Sequence, residues 1–116
     1  MHNRMIGKKA ELIAKKFLKN KGYKIIKSNW WFKKLGEIDL IAKKEDLFYF
    51  IEVKSLIEKD EFVPENNYTL KKRERFHQLI NFYTNKYKIE NFISCVLTIS
   101  FDLLNKKAKI KMIKNV

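Results

Sequence analysis

The sequence predicts a single α/β domain, residues 1–116, in which a mixed sheet is flanked by helices in the order α-β-β-β-α-β-β. Three observations carry that expectation. Two segments, residues 5–21 and 69–87, repeat apolar side chains at the helical period. Around them lie five short runs rich in β-branched and aromatic residues. The second helix falls between the third and fourth strands, where it allows a parallel crossover.

In the first helix, Ile6, Ala10, Ile13, Ala14 and Phe17 share one face and the lysines lie opposite, with Gly22 as the stop. YKIIKSNWWF (23–32) reads as the first strand, and Lys33–Gly36 as a turn. GEIDLIA (36–42) is the second strand, followed by a four-residue polar loop at 43–46. LFYFIEVK (47–54) is almost continuously apolar and so is expected at the centre of the sheet. Residues 55–68 hold the only proline, Pro64, and read as irregular, with an acidic loop at 58–65. The second helix opens on Thr69 as N-cap and puts Phe76, Leu79, Ile80, Tyr83 and Tyr87 on one face. FISCVLTISF (92–101) is a further strand, and KAKIKMI (107–113) alternates as an edge strand with its lysines outward.

A chain of 116 residues and 14.0 kDa buries roughly two-thirds of its unfolded surface, enough for a core without disulfides. At 46% hydrophobic and 34% charged, it is neither a disordered tail nor a low-complexity segment. No apolar run approaches the roughly 18 residues of a membrane span. The first residues lack the apolar core of a signal peptide, so the expected location is cytoplasmic, with no membrane partner. Cys95, the single cysteine, excludes a disulfide framework and a cysteine zinc site, and is expected to be a small buried residue. His2 and His77 are the only histidines, too few for a histidine metal site.

Charge narrows the function. Lys+Arg is 26 against 13 acids, a formal net charge of +13, which favours a polyanionic partner: nucleic acid or an anionic surface. Part of this excess is compositional, because 23 of the 26 cations are lysine in a chain also rich in Ile, Asn, Phe and Tyr. Its distribution is more telling. Nine of the acids fall between residues 37 and 65, where only four lysines stand. An acidic island in a basic chain is the pattern of a metal site set in a phosphate-binding surface, or of a flexible acidic loop.

Within that island, Asp39 stands in the second strand, with Glu52 and Lys54 in the third. Strand side chains alternate faces, so Glu37 and Asp39 share one face of their strand, and Phe50, Glu52 and Lys54 share one face of theirs. If the two strands form a hairpin, Asp39 and Glu52 face each other across it. Two such carboxylates repel unless a cation lies between them or one takes up a proton. Hard oxygen ligands suit Mg²⁺ or Mn²⁺, which also bind phosphate oxygens. Lys54 beside them could hold a scissile phosphate and stabilise developing charge. Taken singly, each acid fits a solvated strand residue better than a ligand; together they fit it badly, because a Glu and a Lys ending a buried strand require partners.

GEIDLIA followed by FIEVK is similar to the Asp…Glu-x-Lys signature of the PD-(D/E)xK nuclease superfamily. More narrowly, the chain resembles the YraN-type family of predicted endonucleases, distantly similar to archaeal Holliday-junction resolvases. The likeness runs from GKKAE (7–11) through Gly22, Tyr23 and Asn29, Gly36–Ala42 and Phe50–Lys54, to the helix near Lys72. The resemblance implies a restriction-endonuclease-like αβββαββ core and a DNA endonuclease dependent on Mg²⁺ or Mn²⁺. Asp39, Glu52 and the backbone carbonyl of Val53 would hold the metal, Lys54 would be the catalytic lysine, and Glu11 would approach from the first helix. Glu11 lies at the border of the apolar face, about 100° from Ala10, which suits either that role or a solvated flank. Lys8, Lys15 and Lys19 point away.

Lys72 shares a stripe with Phe76, Leu79 and Tyr83, whereas Lys71 is turned about 100° into solvent. Lys72 is therefore the better candidate phosphate contact; Arg73, Lys33 and Lys34 are further candidate nucleic-acid contacts, and Glu37, on the face of Asp39, a supporting acid. Trp30 and Trp31 suit either base stacking or core and rim. Leu56 stands where the family usually has arginine, and Ser94 where an aspartate is expected, departures that bear on substrate binding. Three readings follow: a metal-dependent DNA endonuclease, acting on branched or flapped DNA; a non-catalytic nucleic-acid-binding module retaining the nuclease fold; and a basic protein that only docks on anionic surfaces or a partner complex. By analogy with junction resolvases, a homodimer is expected.

Overall fold

The computed structural model describes residues 2–57 and 69–116, with side chains from Gly7 onward. Its elements are α1 (His2–Asn20), β1 (Lys24–Phe32), a 3₁₀ turn (Lys33–Leu35), β2 (Gly36–Lys44), β3 (Leu47–Ile57), α2 (Leu70–Tyr87), β4 (Phe92–Asp102) and β5 (Lys107–Lys114). The acidic loop expected at 58–65, with Pro64, lies outside the described residues.

All five strands form one sheet in the order β1-β2-β3-β4-β5, so the apolar β3 is indeed central. The β1/β2, β2/β3 and β4/β5 pairs are antiparallel. β3 and β4 run parallel, with α2 between them in sequence, as the strand–helix–strand order anticipates. This five-strand mixed sheet with two helices is consistent with a restriction-endonuclease-like fold.

A core lies on each face of the sheet. On one, Ala10, Ala14 and Leu18 of α1 pack against Leu40, Ala42, Tyr49, Ile51, Cys95, Leu97 and Ile99. On the other, Phe76, Leu79, Ile80 and Tyr83 of α2 pack against Ile38, Ile41 and Phe50. β2 and β3 are covered on both faces, which explains why alternation is weak in their sequences. The α2 N-terminus is capped as expected, Thr69 Oγ1 accepting from the Lys72 amide at 3.2 Å. At its other end, Lys88 takes a left-handed conformation (φ 54°) and its amide donates to the Thr84 carbonyl.

Several boundaries differ from the sequence expectation. α1 begins at His2 rather than at residue 5. The loop at 43–46 tightens to the turn Glu45–Asp46, because Lys43 and Lys44 stay in the ladder opposite Phe48 and Leu47. Glu45 accommodates the tight turn with a positive φ of 58°. Nor is the chain irregular from residue 55: Ser55, Leu56 and Ile57 extend β3, paired with Ile99, Ser100 and Phe101 of β4. Tyr87, assigned to the buried face of the second helix, is 45% exposed, since it follows the last turn packed on the sheet.

Leu18 is fully buried in the α1 core, whereas Leu12, on the same helix, is 66% exposed. Leu18→Ala is expected to cost about 3 kcal/mol and lower Tm by roughly 10 °C or more. Leu12→Ala should change stability by less than about 0.5 kcal/mol. Thermal melts of the two variants check the assigned helix face.

Candidate metal and phosphate site

The site is built on a break in β2. Ile38 packs toward α2 but Leu40 packs toward α1, although residues two apart in a regular strand share a face. The register with β1 is unchanged from Ser28↔Leu40 to Trp30↔Ile38, its one shift lying between Ile25 and Lys27, but Asn29, between those pairs, has a φ of +51°. Asparagine is among the few residues that adopt this conformation readily. On the other side, the ladder with β3 runs from Lys44↔Leu47 to Leu40↔Ile51 and ends there. Asp39 therefore stands where β2 parts from its neighbour. Continuing the register would put it opposite Glu52, the pairing read from the sequence.

The gap is closed by a side chain. The amide of Val53 donates to Asp39 Oδ2 at 2.8 Å, replacing the strand-to-strand bond. In an extended strand a residue's N–H and C=O point the same way, so the Val53 carbonyl is also directed toward the β2 side. Three carboxylates meet here: oxygen atoms of Glu11, Glu37 and Asp39 lie within 4.8 Å of one another. Glu11 reaches in from α1. Its Oε2 accepts from Asn29 Nδ2 at 3.2 Å, and the same amide nitrogen donates to Glu37 Oε2 at 2.9 Å. Asn29 thus fixes two of the three acids without contributing positive charge. Its place in the family pattern was visible in the sequence, but a role as clamp was not, because the two acids it joins come from different elements.

Asp39 bears the electrostatic consequence. Burial pushes its carboxyl up to about 7, and the negative charges of Glu52, Glu11 and Glu37 add to that, while the Val53 hydrogen bond opposes it. Such a group calls for either a proton or a cation. The donor set consists of hard carboxylate oxygens and could hold a metal ion. Glu37, read as a supporting acid, belongs to this cluster itself. Glu52 stands beside it, close enough to act on Asp39 electrostatically, and forms an ion pair with Lys54 at 3.4 Å.

Next to the cluster, a cleft of about 190 Å³ opens between the sheet and α2. Glu37, Glu52 and Lys54 line one wall, and Lys72 and Arg75 the other. Gly36 at the start of β2 is called for by its backbone, whose φ is +129°; a Cβ there would make only ordinary contact with Leu79 and Arg75, at 3.8 and 4.0 Å. Lys72 reaches the cleft and Lys71 does not line it. Arg75, which the sequence reading passed over, follows Lys72 by three residues and shares its face. Arg73 is exposed and lies off the cleft; Lys33 and Lys34 are exposed in the 3₁₀ turn at its edge.

Other singled-out residues have structural duties. Trp30 packs in the α2 core edge-on to Tyr83, while Trp31 is 63% exposed. Within hydrogen-bond distance of the Val116 carbonyl oxygen, at 2.8 Å each, are His77 Nε2 and Ser94 Oγ. Cys95 is fully buried, and desolvation raises its thiol to about 11. No helix among the described residues is long and apolar enough to cross a membrane.

Comparison with known proteins places the chain in a family. A model described as uncharacterised protein family UPF0102 matches residues 10–105, a span that takes in the carboxylate cluster and the cleft. A UPF0102 protein of Clostridium botulinum (strain Loch Maree / Type A3) is 35% identical over 97% of this chain and 94% of its own length. Another, from Sulfurovum sp. (strain NBC37-1), is 38% identical over 75% of each chain. The YraN-type resemblance read from GEIDLIA and FIEVK therefore holds, and the chain belongs to the uncharacterised protein family UPF0102.

Proposed function

We propose that this protein is a DNA endonuclease that hydrolyses phosphodiester bonds with Mg²⁺ or Mn²⁺ as cofactor. The observation carrying this reading is the convergence of Glu11, Glu37 and Asp39 within 4.8 Å, beside a cleft that Lys54, Lys72 and Arg75 make basic. Asn29 and Val53 hold these acids together against their mutual repulsion.

Asp39 and Glu52 would hold the cation, with Glu11, Glu37 and the Val53 carbonyl completing or supporting the oxygen set. When bound, the metal supplies a Lewis acid and a water of lowered pKa. The remaining work falls to the chain. Val53 locks one oxygen of Asp39 and leaves the other for the site. Lys54, steered by Glu52, offers its ammonium to a phosphate oxygen of the scissile group and offsets the charge that develops there. Lys72 and Arg75, across the cleft, grip flanking phosphates, while Lys33, Lys34 and Arg73 extend the basic rim. These contacts address the backbone and carry no sequence information.

The deciding experiment is cleavage of duplex, single-stranded, flap and junction DNA by purified protein with Mg²⁺ or Mn²⁺. Asp39→Asn is expected to lose cleavage by orders of magnitude, since a neutral amide is a poor ligand for a hard cation. Lys54→Ala should lose cleavage yet keep the metal. A parent protein that cuts none of these DNAs favours the non-catalytic binding module, and equal cutting by parent and Asp39→Asn removes the assignment.

Stability provides a readout without activity. A carboxyl whose folded pKa is raised from 3.8 to about 7 holds a proton that the unfolded chain has released, so stability falls as pH rises through that window. Metal-free Asp39→Asn should therefore melt above the parent at pH 8, with the gap closing toward pH 4. Mn²⁺ should raise the parent's Tm at pH 8, much less at pH 5, and should leave Asp39→Asn unmoved. Differential scanning fluorimetry checks all three.

Binding should be electrostatic. With 26 basic residues in the chain, affinity for DNA in EDTA is expected to fall steeply between 50 and about 200 mM salt, with little sequence preference. Lys72→Ala should weaken it alike for all sequences. Salt-independent affinity in a titration would point to a protein partner instead.

A further inference from the structure

The cleft does not end at Arg75. Lys72, Arg75, Leu79, Phe82 and Lys86 follow one another at steps of three or four residues, so they form a single stripe along α2, about 21 Å long. Its first members line the cleft beside Glu52 and Lys54. Farther along, the stripe runs beside β1, and there its character changes from cationic to aromatic.

Trp30 and Phe32 of β1 stack at 5.8 Å with their planes 19° apart, and Phe32 stacks on Phe82 at 4.3 Å and 26°. The three rings form a short pile whose outermost member, Phe82, is 47% exposed. At the far end Tyr87, 45% exposed, is in ring contact with Tyr83 at 4.6 Å. Cations accompany Phe32 and Tyr87. The ammonium of Lys33 lies 5.4 Å from the Phe32 centroid, and those of Lys86 and Lys27 lie 5.5 and 6.0 Å from that of Tyr87. Exposed rings alternating with lysines suit a chain that carries a planar apolar group and a negative charge in every repeat. A single strand of DNA has that chemistry; a duplex hides its ring faces in its own stack.

We propose that the Phe32–Phe82–Tyr87 surface is a track for single-stranded DNA. Unpaired bases stack on Phe82 and Tyr87, and Lys27, Lys33 and Lys86 hold the backbone as it leads into the cleft. The inference builds on the endonuclease reading and narrows its substrate to DNA with an unpaired strand adjoining the cut.

Fluorescence anisotropy in EDTA tests it without requiring metal or cleavage. The probes are a labelled 12-nucleotide dT strand and an abasic strand of the same length and charge. The dT strand is expected to bind the parent about tenfold or more tighter than the abasic strand, because each stacked base contributes at about that level. Phe82→Ala should cut the dT preference by about tenfold, the share of one stacked base, leaving what Tyr87 supports, and Phe82→Trp should retain the full preference. Phe82→Leu, which keeps an apolar cover over Phe32, replaces the alanine variant if that one melts early. Equal binding of the two strands by the parent would overturn the track, as would an undiminished dT preference in Phe82→Ala or Phe82→Leu. Either result leaves the metal-dependent cleavage assay free to succeed, and a failed cleavage assay does not bear on this binding preference.

Discussion

The hydrogen bond from the Val53 amide to Asp39 is the contact on which the candidate site depends. Central strands ordinarily close their ladders backbone to backbone, because an unpaired amide in the interior costs as much as a lost hydrogen bond. Here β2 and β3 separate before their ladder is complete, and a side-chain carboxylate takes over the orphaned amide. That substitution fixes Asp39 in the opening between two strands instead of on either face of the sheet. Residues from both helical layers can then converge on it: Glu11 from the α1 side, and the wall of Glu52, Lys54, Lys72 and Arg75 from the α2 side.

The same arrangement explains the charge pattern of the chain. Acids are drawn into the opening, where burial and mutual repulsion make at least one of them costly to ionise. Cations ring the outside, where water screens them from one another. A net charge of +13 would by itself only attract a polyanion. The inner acids turn that attraction into a graded field, favourable to phosphate at the rim and, without a cation, unfavourable at the centre.

Much of this was readable from residues. The helical spacing of Ala10 and Ala14, the apolar run LFYFI and the alternation in KAKIKMI each reflect one local rule, and the structure follows them. Asp39 was also expected opposite Glu52 from a hairpin register; the ladder ends one pair short of them, at Leu40 and Ile51. What escaped was what depends on departures from regularity. The face switch between Ile38 and Leu40 contradicts strand alternation, so no periodic reading finds it. Asn29 serves as clamp only because its positive φ turns the amide between Glu11 and Glu37. Glu37 enters the cluster for the same reason. Arg75 shares the face of Lys72, but spacing alone does not separate it from the other exposed cations of α2; its place on the cleft depends on how the helix sits against the sheet.

Glu11 rides on a helix whose seat is assembled from distant parts of the chain. Ala10 and Ala14, on either side of it, belong to the core that includes Cys95, Leu97 and Ile99 of β4. The ribosome makes β4 long after Asp39, Glu52 and Lys54 have emerged. A nascent chain therefore possesses the hairpin acids, and the β1 and β3 surfaces on which α1 chiefly packs, before β4 completes the core beneath that helix. Completion of that core is in this sense a report that the sheet has formed as far as its fourth strand. A half-folded chain without β4 keeps the acids and the lysine over an incomplete core, so the seat of the centre is finished only when that strand is in place.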